Sequence, residues 1–293
     1  MKPLCGFTFF PYFCVVKNLE HITAPIKADL ERFEAFFEHT LRVDTTPMDT
    51  IMRYLLETRG KRLRPMLVLF SAKLFGEVNE DTLRAATFVE MMHSATLLHD
   101  DVVDDSDQRR GQASVKACFG NRSAVLAGDY LLAKAMLLFD DSNMLHEMLQ
   151  TAAAMSEGEL MQNTVGLSYH GNRFNENPQM RLPQCDSPTK RYLDIITRKT
   201  AMLMRSCCAV GAMSVKASQK QVQQVSDFGL SFGQLFQLRD DILDADDTEN
   251  LSLAQELLPK YLQKTLDSLQ ILPESEIRNA LQELTLFCAE REL

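Results

Sequence analysis

A chain of 293 residues with 45% hydrophobic residues is long enough to bury a large core, and no Pro/Gly/Ser-rich linker divides it, so one domain is expected. Its net charge of −9 and its lack of basic tracts exclude nucleic acid as a partner, because phosphate-backbone binding needs a concentrated cationic face. The seven cysteines show neither paired spacing nor a C-x-x-C zinc pattern, which leaves free thiols in a reducing cytoplasm.

Residues 1–16 form an apolar run that superficially resembles a signal peptide. Pro11 interrupts it, Lys2 is its only cation, and no small-x-small cleavage site follows, so residues 1–21 are read as an atypical N-terminal extension. The run is also too short to span a membrane, and no transmembrane segment is expected. From there the pattern is helical almost throughout. Residues 26–41 place Leu30, Phe33, Phe36 and Phe37 at helical spacing, and 66–75 is largely apolar, as in a buried helix. Further helices are predicted over 82–99, 123–139 and 148–162. Residues 167–188, with Gly171, Asn172, Pro178 and Pro183, read as a polar loop. Helical patterns resume over 191–215, 219–244, 251–269 and 275–293. Strand signals are weak, so the fold expected is an all-α helical bundle around a central cavity.

Two acidic clusters carry the chemistry. Asp100, Asp101 and Asp104 end one predicted helix, and Asp240, Asp241 and Asp244 end another. Positions four apart share a helix face, so each cluster can chelate from successive turns. Hard carboxylate oxygens suit Mg²⁺, which keeps some of its waters and bridges to substrate phosphates. An isolated acidic triplet is usually a solvated helix face; these two follow apolar runs, 95–98 and 235–238, which places them where buried helices emerge. Arg109 and Arg110 lie a short loop beyond the first triplet, and an arginine fork beside a metal site is a diphosphate grip. Lys61 and Arg64 upstream, with His93 two turns before Asp100, supply cationic groups for a second diphosphate.

Composite motifs extend this reading. Gly60 to Pro65 reads GKRLRP, His93 to Gly111 reads HSATLLHDDVVDDSDQRRG, and Gly233 to Asp244 reads GQLFQLRDDILD. Gly128-Asp129-Tyr130-Leu131, Glu157-Gly158-Glu159 and Lys199-Thr200-Ala201 fall between them in the same order. Over residues 22–247 the chain resembles the trans-isoprenyl diphosphate synthases, specifically the medium- and long-chain branch that makes quinone side chains. The resemblance implies the isoprenoid-synthase helical fold, a homodimer, and three Mg²⁺ ions held by the six aspartates. It implies that Arg109 and Lys199 hold an allylic diphosphate with support from Thr200 and Gln237, while Lys61, Arg64, His93 and Arg110 hold isopentenyl diphosphate. The implied reaction adds isopentenyl units head to tail. Ala95 and Thr96, one turn before Asp100, would line the passage for the growing tail, and their small size implies elongation past the short products; Met91 and Met92 lie one turn deeper.

One departure stands out. The family's Gly-Lys, Gly-x-Asp and Gly-Lys-x-Thr-Leu-Pro segments, which normally follow the second triplet, are absent after about residue 247. The remainder of 22–293 resembles the family's terminal helices. A catalytically impaired paralogue or partner subunit that binds prenyl diphosphate without elongating it is therefore the alternative to an active synthase.

Overall fold

The structure is a computed structural model that describes residues 19–44, 46–57, 60–109, 111–167, 187–244 and 248–291. Helix α1 (Leu19–Thr23) passes through a 3-10 turn at Ala24–Ile26 into α2 (Lys27–Leu41), whose Phe33 and Phe37 are buried with tilted rings 5.6 Å apart. A helix absent from the sequence reading, α3 (Thr46–Glu57), follows. The cause is legible in hindsight: Met48, Ile51, Met52 and Leu55 recur at helical spacing, and Ile51 and Met52 are buried. Then come α4 (Leu63–Lys73) and α5 (Glu80–Val103). Asn79 caps α5 by accepting from the backbone N–H of Thr82 at 3.0 Å, while the Thr82 hydroxyl accepts from the Asn79 N–H at 3.3 Å. This start lies two residues before the predicted one, and the helix runs through Asp100 and Asp101 to Val103, with Asp104 as its C-cap.

A two-residue antiparallel pair, β1 (Gln108–Arg109) with β2 (Gln112–Ala113), turns the chain into α6 (Val115–Phe119) and α7 (Asn121–Met136). Helix α8 (Ser142–Leu167) precedes residues 168–186, so most of the predicted polar loop lies outside the described residues. The single helix expected over 191–215 is broken into α9 (Pro188–Ile196), a π-helical turn at Thr197–Ala201 and α10 (Met202–Ser214). Helix α11 (Gln219–Asp244) has its predicted bounds, and α12 (Thr248–Leu269) and α13 (Glu276–Glu290) follow.

The core is organised by α4 and α10, which are buried on nearly every side. Helix α10 packs on α4, α5, α8 and α11; α5 packs on α7; α12 covers α11. Phe70, Phe88, Phe228 and Phe232 are fully enclosed in the main cluster. A second apolar cluster joins Tyr192, Ile196, Leu235, Leu238, Leu257 and Tyr261, seating α9, α11 and α12 together. Among the described residues no helix is long and apolar enough to cross a membrane.

Candidate active site

The two triplets end the long helices α5 and α11, as the sequence placed them, and the π-helical turn lies beside both. A π turn inserts one extra residue into a helix and re-aims the side chains it carries, a geometry frequent at functional sites. Here it carries Lys199 and Thr200. Two glycines hold it. A Cβ on Gly158 of α8 would lie 2.7 Å from the Lys199 backbone nitrogen, and one on Gly233 of α11 would lie 2.5 Å from the Ala201 Cα, so only bare backbone lets both helices approach this closely.

From this turn Lys199 pairs with Glu159 at 2.6 Å and donates to Gln162 Oε1 at 3.0 Å. Thr200, nearly buried, donates to Gln237 Oε1 at 2.7 Å, and Gln237 Nε2 donates to Asp241 Oδ1 at 2.8 Å. The Tyr192 hydroxyl donates to Asp241 Oδ2. Both Asp241 oxygens are thus oriented by neutral donors. Burial and then this hydrogen bond to Asp241 push the Tyr192 hydroxyl's pKa upward, which keeps it a donor at neutral pH.

On the opposite helix Asp101 is buried, and its Oδ1 accepts from Arg109 Nε at 2.9 Å and Nη2 at 2.5 Å. Arg291, one residue beyond α13, donates to Asp240 and lies 4.2 Å from the Phe236 ring centroid, while Arg239 Nε donates to the Arg291 carbonyl at 3.0 Å. Arg291 and Tyr192 are site residues that the sequence reading did not find. Asp100 and Asp240 are both raised to about 6, in each case first by burial; Glu159 adds to the effect at Asp100, whereas Arg291 opposes it at Asp240. Lys199 lowers both Asp100 and Asp241, so its charge is felt by both triplets.

The donor set fits a hard divalent cation. The side chains of Asp100, Asp104 and Asp244 have no hydrogen-bond or ion-pair partner among the described residues; Asp104 and Asp244 are exposed, whereas Asp100 is part-buried and pushed up by that burial, a charge that an added cation would neutralise. Among the described residues no three acidic, histidine or cysteine side chains are drawn together as a ready-made nest.

A separate cavity of about 490 Å³ is lined by Lys61, Arg64, His93, Phe236, Phe287 and Arg291. Three of the four residues predicted for the second diphosphate meet there; Arg110 lies outside the described residues. Arg291 Nε is a buried donor with no hydrogen-bond partner among the described residues, on the wall of a cavity rich in cations. A smaller cavity of about 60 Å³ adjoins it, lined by His93, Asp101 and Arg109. Ala95 is fully buried and Thr96 donates back to the His93 carbonyl at 2.9 Å; neither lines these two cavities.

An all-helical bundle with two acidic helix ends that share the influence of Lys199, beside a cationic cavity, fits the isoprenoid-synthase class, and the comparisons agree. The family model for polyprenyl synthetase matches residues 45–252. The chain is 35% identical over 225 residues to heptaprenyl diphosphate synthase component 2 from Geobacillus stearothermophilus, covering 75% of this chain and 65% of that one. It is 30% identical over 230 residues to octaprenyl diphosphate synthase from Escherichia coli strain K12, covering 78% of this chain and 66% of that one. The crystal structure of a polyprenyl synthase from Caulobacter crescentus CB15, complexed with calcium and isoprenyl diphosphate, superposes with a TM-score of 0.81 at 25% identity, covering 96% of this chain and 100% of that one. The chain belongs to the polyprenyl synthetase family. It matches just under two thirds of the length of these two sequence relatives.

Proposed function

We infer that the protein is a Mg²⁺-dependent prenyltransferase that condenses an allylic prenyl diphosphate with isopentenyl diphosphate in successive head-to-tail steps, making a polyprenyl diphosphate for quinone side chains. The observation that carries this reading is the pairing of carboxylates without ion-pair partners at Asp100, Asp104 and Asp244 with a distinct cationic cavity at Lys61, Arg64 and His93. One end suits metal plus diphosphate, and the other suits diphosphate alone. Relatives named for octaprenyl and heptaprenyl products, and a neighbour crystallised with isoprenyl diphosphate, support the substrate class.

In this reading the six aspartates hold three Mg²⁺ ions, which supply charge neutralisation to the departing diphosphate. Asp101 also fixes the Arg109 fork, and Tyr192 with Gln237 fixes Asp241. Arg109 and Lys199 hold the allylic diphosphate, with Thr200 and Gln237 behind Lys199. Lys61, Arg64, His93 and Arg110 hold isopentenyl diphosphate so that its double bond faces the allylic carbon. The allylic C–O bond breaks, the double bond supplies the electron pair of the new C–C bond, and a proton leaves to the released diphosphate. Each ten-fold in rate corresponds to about 1.4 kcal/mol of transition-state stabilisation, so both grips are needed. The tail extends along the α5 face past Ala95 and Thr96, which requires the side chains packed around the fully buried Ala95 to part.

The protein acts as a homodimer in the cytoplasm. Leu126, Met136, Leu137, Leu149 and Leu160 on α7 and α8 are exposed apolar side chains suited to a subunit interface, and the free thiols Cys118, Cys207, Cys208 and Cys288 fit a reducing compartment. A second reading, a partner subunit that binds prenyl diphosphate without elongating it, is favoured by the name of the relative called component 2. Purified protein incubated with farnesyl and isopentenyl diphosphates plus Mg²⁺ separates the two. Chromatography should show long polyprenyl products, and binding without any extension would overturn the synthase reading in favour of the subunit.

A further inference from the structure

Arg62 stands between Lys61 and Arg64, yet its charge is committed to protein. Its Nε donates to Glu34 Oε1 at 2.8 Å, its Nη1 to Glu90 Oε1 at 2.5 Å and its Nη2 to Glu34 Oε2 at 3.4 Å. The guanidinium carbon lies 4.9 Å from the centroid of Phe37. Only 9% of the Arg62 side chain and 6% of the Glu90 side chain are exposed, so the pair is largely withdrawn from water while both residues border the cavity. The backbone at Arg62 is left-handed, with φ 55° and ψ 29°. A long side chain persists in that region only where its surroundings fix it, and the forked pairing does so here.

The consequence is geometric. A left-handed residue reverses the chain between Lys61 and Leu63, starts α4, and leaves Lys61 and Arg64 on one cavity wall. Glu90 lies one turn before His93 on α5, so the pair at Glu90 ties the Lys61–Arg64 loop to the helix that carries His93. Glu34 ties both to α2. Two carboxylates against one guanidinium also leave the triad at one net negative charge, which offsets the mutual repulsion of Lys61, Arg64 and Arg291 around the cavity.

We propose that Arg62, clamped by Glu34 and Glu90, is a positioning residue for the isopentenyl diphosphate cavity: it sets the spacing of Lys61 and Arg64 relative to His93 without itself gripping the diphosphate. This rests on the assignment of that cavity in the proposed function. Arg62→Lys keeps the charge and loses the fork that reaches two carboxylates. Glu90→Gln keeps the shape and loses the partner's charge.

The experiment measures isopentenyl diphosphate binding by calorimetry, KM for each substrate, kcat and thermal unfolding for wild type, both single variants and the double variant. Each single variant should weaken isopentenyl diphosphate about ten-fold in Kd and KM, the worth of one charge-assisted contact, while KM for the allylic substrate and kcat change little. The double variant should be no weaker than the worse single variant, because both break one clamp. A Glu90→Gln variant that binds like wild type beside a weakened Arg62→Lys overturns the proposal by making Arg62 a direct ligand. Parallel loss of unfolding temperature, kcat and both KM values overturns it in favour of a merely structural ion pair, and so do wild-type values in both variants. Wild-type protein that binds no isopentenyl diphosphate sinks the cavity assignment, a result distinct from all of these.

Discussion

Replacing Asp100 by Asn should make the metal-free protein more stable while removing its function. Asp100 lies in the last turn of α5, where a negative charge opposes the helix dipole, and it is raised to about 6 chiefly by burial and then by Glu159. A carboxyl whose folded pKa exceeds its unfolded value binds protons more readily when folded. Its ionised form therefore costs stability above about pH 6, and that cost fades as pH falls towards 4. A rise of roughly two pKa units corresponds to at most ~3 kcal/mol. The side chain is only partly buried, so solvent screening reduces the expected gain for Asp100→Asn to ~1–2 kcal/mol. For a domain of this size that is about 2–6 °C in unfolding temperature. Thermal unfolding in chelator at pH 7.5 should place Asp100→Asn above wild type, with the gap roughly halved at pH 5 and closing towards pH 4 as the wild-type carboxyl takes up its proton. With Mg²⁺ and a prenyl diphosphate present the order should reverse. An Asn variant no more stable than wild type at pH 7.5 without metal, or a gap independent of pH, would refute the uncompensated-charge argument.

Because Asp100 and Asp240 both titrate near 6, the stabilisation that Mg²⁺ plus diphosphate gives at pH 7.5 should shrink markedly at pH 5.5; a shift of equal size at both pH values would detach these carboxylates from the metal. Gly233→Ala forces a Cβ to within 2.5 Å of the Ala201 backbone, so it should destabilise the fold by about 1–3 kcal/mol and lower kcat by displacing Lys199, and wild-type melting would show that the π turn yields freely. Ala95→Phe, at a fully buried position one turn before Asp100, should shift chromatographed products to shorter chains while the first condensation survives; an unchanged product distribution would mean that the tail takes another route.

Much of this architecture is written locally. Each long helix shows its periodicity, and the two aspartate triplets announce where α5 and α11 end, because spacing within one helix fixes which carboxylates share a face. What could not be read depends on distant neighbours. Tyr192 meets Asp241 across 49 residues, and Arg291 meets Asp240 across 51, so neither partner marks the other in sequence. The extra residue of the π turn leaves no periodic signal over five residues, and its support comes from Gly158 and Gly233 on other helices. Arg62 shows the converse: it reads as one of three equivalent cations in GKRLRP, and only Glu34 and Glu90 distinguish it.

The ion pairs of the site share a common logic. Arg109 rests on Asp101, Lys199 on Glu159 and Arg291 on Asp240, so three cations near the two aspartate triplets are each held by a carboxylate. Such pairing keeps part-buried charges from standing alone, which would cost far more than the pair itself. It also sets a condition on binding. A diphosphate that recruits Lys199 takes it from Glu159, and a cation that settles on Asp240 competes with Arg291 for the same carboxylate. Arg291 lines the cavity that holds Lys61 and Arg64, so an Arg291 released from Asp240 adds its charge to the wall facing the second diphosphate. On the function proposed above, filling one end of the site would free Arg291 towards the other, a coupling that acts equally in both directions.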